Sequence, residues 1–303
     1  MTEPANQSDS LTASKSKYPG AGAPPPVVPS NRFRFSRQQL RFFPMLRAEE
    51  DHPKAWTFPS YLDNPNVPWL TTLKEIYASP LAFPASLSPE AGLLLHALVR
   101  SIRPRAVVEV GSFLGVSTIW MAAALEAAAN DPPHIPSPAG SAIIHCFDDF
   151  GPVAAAKWRE ASFKGPRVDL VRANLAKARL DHLVVLHPGD SSVEIRAMRD
   201  QLRGPQESWP ISPREHIGGV DFALIDGNHT VEGVMQDLWA IEPVLNTGGC
   251  ILVHDTFPEQ CGGHEGPRHL IDHIQTEAQG MYEVCELYTA PLNYGMALLR
   301  RVG

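Results

Sequence analysis

The chain has 303 residues, 44% of them hydrophobic and 19% charged, a globular composition long enough to bury a substantial core. A formal net charge of −7 with no Lys/Arg-rich run speaks against a nucleic-acid partner, because phosphate contacts favour a basic face. The N-terminal segment lacks the apolar stretch of a signal peptide, and no apolar run nears the ~20 residues that span a bilayer. A soluble cytoplasmic protein without a membrane partner is the expectation.

Cys146, Cys250, Cys261 and Cys285 show neither CxxC pairing nor disulfide-like spacing, which fits a reducing compartment. Residues 1–30 are rich in Ser, Pro, Ala and Gly and read as a flexible tail. Residues 31–87 mix aromatics with scattered prolines and read as an irregular, partly helical cap, packed on the main core or serving as a substrate lid. Regular patterning starts at Ser88 and continues to residue 303. Leu94, Leu95, Leu98, Val99 and Ile102 recur at helical spacing, with Pro104 just beyond.

Strand-like runs follow at Ala106–Val110, Ala142–Phe147, Leu183–Leu186, Val220–Ile225 and Cys250–Val253. Helical patterns fall between them, at Thr118–Ala128, over most of 152–181, and at Val231–Leu245. Two final β-rich runs, Tyr282–Tyr288 and Tyr294–Val302, suggest an antiparallel pair. Five alternating strands and this pair predict an α/β fold, a mostly parallel doubly wound sheet with an antiparallel C-terminal edge.

In an open α/β sheet ligands bind at the C-terminal strand ends, and the polar residues of this chain gather there. The first strand runs into Glu109-Val110-Gly111-Ser112-Phe113-Leu114-Gly115-Val116-Ser117, a GxxxG turn. Phe113 stands where the GxGxxG of dinucleotide enzymes needs its middle glycine. The second strand ends in Asp148-Asp149, where an acid can accept ribose hydroxyls, and the third is followed by Gly189-Asp190-Ser191-Ser192. The fourth ends in Asp226-Gly227-Asn228-His229. A Gly248-Gly249 turn precedes the fifth, which ends in His254-Asp255.

Taken in order, these pieces resemble class I S-adenosylmethionine-dependent methyltransferases. More closely, VVEVGSFLGVSTIW and ALIDGNHTVEGVMQDLWAIEPVLNTGGCILVHDT are similar to a bacterial small-molecule O-methyltransferase group that includes antibiotic-sugar, cephalosporin-biosynthesis and catechol-type enzymes. The likeness covers about residues 88–300. It implies a seven-stranded Rossmann-like sheet and an acceptor that is a hydroxylated small molecule such as a natural-product sugar, polyketide or phenol.

It also implies roles. Glu109, Gly111, Ser112, Gly115 and Ser117 would form the cofactor turn, Asp148 would bind the ribose, Asp190 and Ser191 would lie by the adenine, and Asp226 would border the cofactor. Relatives often hold Mg²⁺ with acids at the positions of Asp226 and Asp255, and this chain has His254 where they commonly carry Asp or Glu. Magnesium prefers oxygen ligands and imidazole suits softer ions. A Mg²⁺ site with fewer protein ligands, another divalent metal, and no metal all stay open.

His229, with Asp226, is the candidate catalytic group, since an imidazole can take a hydroxyl proton near neutral pH. The structural alternative is that His229 caps the next helix or orients Asp226. His145 and His187 read as structural, His264, in the flexible Gly-rich stretch Cys261–Gly266, as part of a plain surface loop or of a mobile loop over the substrate, and Asp237 as a partner of the site or a solvated helix residue. The rival readings are a nicotinamide-dependent oxidoreductase and a non-catalytic cofactor-binding protein. Whether the chain forms a homo-oligomer is left open.

Overall fold

The computed structural model describes residues 55–131, 142–155, 161–203, 219–257, 263–287 and 294–303. Residues 1–54, the tail and the first part of the cap, lie outside it. In chain order the elements are α1 (Pro68–Ala78), α2 (Pro89–Ile102), β1 (Ala106–Val110), α3 (Val116–Ala129), β2 (Ile143–Asp148), α4 (Arg167–Ala178), β3 (Val184–Pro188), α5 (Ser191–Arg203), β4 (Val220–Ile225), α6 (Val231–Ile241), β5 (Leu245–His254), α7 (Glu265–Thr276), β6 (Tyr282–Leu287) and β7 (Met296–Arg301).

The strands form one seven-stranded sheet in the order β3-β2-β1-β4-β5-β7-β6. The first five run parallel, while β7 is antiparallel to both β5 and β6. This is the expected doubly wound sheet with its antiparallel C-terminal pair. The order in which strands are added reverses between β1 and β4. The crevice beyond their C-terminal ends is therefore the topological switch point where such folds take ligands.

Side chains alternate along each strand, so each face has its own core. Val107, Ile144, Cys146, Leu224 and Leu252 pack with Leu95, Val99 and Trp120 of α2 and α3. Val108, Phe147, Ala223, Ile251 and Val253 pack with Leu238, Ile241, Leu270 and Ile271 of α6 and α7. Helix α3 is covered nearly all round, so it shows no polar face. From the cap, Leu73 and Tyr77 of α1 join the first core, and the Tyr77 hydroxyl accepts from Trp120 Nε1 at 3.0 Å. Residues 55–87 are therefore packed on the sheet's helical layer.

Three local expectations differ from the structure. The helix read as Val231–Leu245 stops at Ile241, because Pro243 cannot continue it, and Leu245 opens β5. Gly248 and Gly249 are not a turn before a strand but part of β5, where the register against β4 shifts between Val220 and Phe222. Among the described residues of 152–181 the α-helix is confined to Arg167–Ala178. Upstream of it, Val153 and Phe163 form an antiparallel bridge.

Candidate active site

Glu109 organises the β1–α3 turn from beneath. Its fully buried carboxylate accepts hydrogen bonds from Ser112 Oγ (3.0 Å), Ser117 Oγ (2.5 Å) and Thr118 Oγ1 (2.5 Å). Burial pushes its pKa up against those donors. Ser112 and Ser117, expected at the cofactor, thus turn their hydroxyl protons toward Glu109. Gly111, at φ +87°, is required because a Cβ would overlap the Asp226 carbonyl. The turns after β1 and β4 touch there, and the Asp226 N–H donates to the Val110 carbonyl at 2.9 Å. Gly115 starts α3 in the same left-handed conformation at φ +83°.

Asp148 is more enclosed than the sequence suggested. Its Oδ1 accepts from Phe150 N (2.6 Å) and Arg167 Nη2 (2.8 Å), and its Oδ2 from Phe113 N (2.9 Å) and Arg167 Nη1 (3.2 Å). Four donors fill the acceptor sites of one carboxylate. Arg167 also donates to the Gly151 and Phe113 carbonyls and to Asp149, so it ties the β1 turn to the β2 end. Nothing in the sequence singled out Arg167. Its neighbour Asp149 has 77% of its side chain exposed.

Asp190 and Ser191 serve α5. Asp190 Oδ1 accepts from Val193 N at 3.1 Å and Ser192 Oγ at 2.7 Å, a helix N-cap arrangement. Ser191 Oγ donates to Asp237 Oδ1 at 2.5 Å. Asp237 is thus neither a solvated residue nor a partner of His229. It is buried between α5 and α6, and desolvation pushes its pKa up to about 6.

The remaining candidates come together at the ends of β4 and β5. His254 Nδ1 lies 3.1 Å from Asp226 Oδ1 and 3.2 Å from Asp255 Oδ1. His229 Nε2 lies 3.0 Å from Asp255 Oδ2 and 3.8 Å from Asp226 Oδ1. Asp255 takes a positive φ of 58°, which turns its carboxylate between the two histidines. His229 does not cap α6, since the Thr230 hydroxyl does so by accepting from Gly233 N at 3.1 Å.

Burial works against charge on both imidazoles, but the two aspartates outweigh it. The pKa of His229 is pushed up to about 10 and that of His254 well above its usual range. Burial likewise opposes ionised Asp255, yet the two histidines hold it well below the usual carboxylate range. The cluster is a set of interlocked ion pairs.

His264, read from sequence as a surface loop residue, belongs here as well. Its ring stacks on that of His229 with centroids 4.3 Å apart and planes 15° from parallel, and its Nε2 lies 4.0 Å from Asp255 Oδ2. Two sets of three side chains bring a ligand atom each within 4.8 Å of one another, Asp226/His254/Asp255 and His229/Asp255/His264. His145 and His187 stay apart from the site, paired through their ring nitrogens at 3.0 Å on β2 and β3.

A glycine turn after β1, an acid after β2 and polar groups after β4 and β5, on this strand order, define the methyltransferase class. Residues 108–256 match the family model described as a methyltransferase domain. The chain carries a methyltransferase domain over those residues, on the fold of solved S-adenosylmethionine-dependent methyltransferases, and the nicotinamide reading falls.

Solved structures share the fold at low identity. The O-methyltransferase TomG from Streptomyces achromogenes, involved in tomaymycin synthesis and solved with S-adenosylmethionine, is 18% identical with a TM-score of 0.50, over 82% of this chain and 92% of that one. An O-methyltransferase from Bacillus cereus in complex with S-adenosylhomocysteine is 17% identical with a TM-score of 0.52, over 76% and 91%. A methyltransferase of Podospora anserina, also bound to S-adenosylhomocysteine, is 15% identical with a TM-score of 0.51, over 81% and 89%. Among the described residues, no helix is long and apolar enough to cross a membrane.

Proposed function

We propose that the chain moves the methyl group of S-adenosylmethionine onto a hydroxyl oxygen of a small molecule, with natural-product sugars, polyketides and phenols as the acceptor class. The observation that carries this reading is the Asp226/His229/Asp255 cluster at the ends of β4 and β5, beside the switch-point crevice. Two of the compared structures are O-methyltransferases, which supports the oxygen acceptor.

The cofactor supplies a methyl group already activated by its sulfonium, so the protein's task is to align an oxygen with it and remove a proton. Gly111 and Gly115 shape the turn that would face the methionine and ribose portions, with Glu109 bracing it from below. The exposed carboxylate of Asp149 is a better acceptor for ribose hydroxyls than Asp148, whose acceptor sites are filled.

His229 is the proposed base. Flanked by two carboxylates it holds its own proton up to about pH 10, and an imidazolium cannot accept another. Its use as a base near neutral pH therefore needs the negative charge of Asp226 and Asp255 offset. The donor set fits a divalent cation held by Asp226, Asp255 and His254. Such an ion would offset that charge and lower the pKa of a bound hydroxyl.

The test is calorimetric titration of S-adenosylmethionine into EDTA-treated protein, repeated with Mg²⁺, Mn²⁺ and Zn²⁺, followed by labelled-methyl transfer to a panel of sugars and phenols. Saturable binding and an O-methylated product support the reading. Absence of cofactor binding under every condition would sink it.

A further inference from the structure

We propose that the first turn of α7, acting through the His264 ring and the Gly266 backbone, is the positioning device that holds His229 against Asp255. This rests on the reading of the β4 and β5 ends as the reactive site. His229 follows β4 and Asp255 follows β5, so no single element fixes their separation.

The segment Gly263–Gly266 bridges them three times. The His264 N–H donates to the Asp255 carbonyl at 3.0 Å, and the Gly266 N–H donates to the His229 carbonyl at 3.1 Å. The His264 ring then lies flat on the His229 ring. The Gly266 N–H is one of the first-turn donors that a helix cannot satisfy internally, and here its partner is the backbone of the proposed base.

Two glycines mark how close this crossing is. A Cβ on Gly266 would overlap the His229 and Thr230 carbonyls, and one on Gly263 would overlap the carbonyls of Phe257 and Asp255. The groups around the His229 ring are then Asp226 and Asp255 at its Nε2 edge and His264 over its face. His264 contacts no reacting atom in this scheme and acts through His229.

The test compares crystal structures of the full-length, EDTA-treated chain, wild type against His264→Ala, His264→Phe and Gly266→Ala. His264→Ala and Gly266→Ala are expected to lose the contact between His229 Nε2 and Asp255 Oδ2, which stands at 3.0 Å. His264→Phe keeps a flat ring on the stack and is expected to restore that contact.

A merely structural role would lower the thermal midpoint without separating His229 from Asp255. If His264→Ala leaves the His229 ring and its contact with Asp255 as in wild type, the proposal is overturned, even should Gly266→Ala fail to fold. Calorimetry with S-adenosylmethionine on wild type is read separately. Failure there would count against the methyltransferase site and leave the positioning result standing.

Discussion

His229 Nε2 and Asp255 Oδ2 stand 3.0 Å apart, although one follows β4 and the other β5. The contact joins the two strand ends on which the proposed chemistry depends, and it has a pH signature. The folded-state pKa of His229, about 10, lies above its ordinary value, so the pairing contributes stability that is fully present below about pH 6.5. That contribution is lost as pH rises through about 10. In metal-free protein, wild type should be more stable than His229→Gln at pH 6, and the gap should narrow by pH 10. Urea unfolding at the two pH values checks this, and parallel curves would show that the pair is not charged.

The same histidine should govern turnover. His229→Ala should lower the rate of methyl transfer to any accepted hydroxyl substrate by about 10²–10⁴-fold, the usual contribution of a positioned base. Cofactor affinity should change little, because the proposed cofactor site is built on the β1 turn. Single-turnover transfer of labelled methyl, read beside calorimetry, separates the two effects. Equal losses in both would assign His229 to cofactor binding instead.

Glu109 offers a contrast between two substitutions of similar size. Glu109→Gln keeps an acceptor for the hydroxyls of Ser112, Ser117 and Thr118 and removes the need to bury a charge. Glu109→Leu leaves three buried donors without this partner, at about 1–3 kcal/mol each. Glutamine should therefore be near neutral in chemical denaturation, while leucine should be severely destabilising. Similar losses for both would mean that the negative charge, rather than the hydrogen-bonding acceptor, holds the turn.

These residues also show what the sequence could and could not convey. The sheet was legible because each apolar run ends in Gly, Asp or His at the same edge, and period and punctuation agreed there. The helix overran to Leu245 because Leu245 falls on the 3.6-residue repeat from Val231 by coincidence, and the breaker at Pro243 was outweighed. The capping role of Asp190 and the Ser191 contact with Asp237 were not legible, because capping and ligand binding use the same short polar side chains. His264 and Arg167 were missed because their partners are brought to them only by tertiary packing. For His264 a hint existed in Gly263 and Gly266, glycines whose spacing suggested flexibility but whose cause is close backbone approach.

Asp237 supplies a pH prediction of the same sign in a lower pH window. Its folded pKa, about 6, exceeds the ordinary aspartate value of about 3.9, so the folded state holds its proton more tightly. The folded chain is then favoured at low pH, and stability falls as pH rises from about 4 through 6. Asp237→Asn can still accept from Ser191 and has nothing to titrate. The stability of wild type relative to Asp237→Asn should therefore drop between pH 4.5 and pH 7.5, as read from urea midpoints. A constant difference would show that Asp237 ionises normally in the folded chain.

Arg167 and Asp148 form a pair buried on both sides, with side chains 9% and 7% exposed. Removing one partner of such a pair strands the other charge, at about 3–5 kcal/mol. Arg167→Ala should lose stability on that scale, and Arg167→Lys should recover only part of it, since an ammonium cannot donate in a fork to both oxygens of Asp148. The double variant Arg167→Ala/Asp148→Asn should be more stable than Arg167→Ala alone, because no buried charge is left unpaired. Because Arg167 also binds the Phe113 carbonyl, its loss should loosen the β1 turn and weaken S-adenosylmethionine binding in calorimetry. If Arg167→Ala instead strengthens binding, Asp148 has been released to take the ribose, and the assignment of Asp149 is wrong.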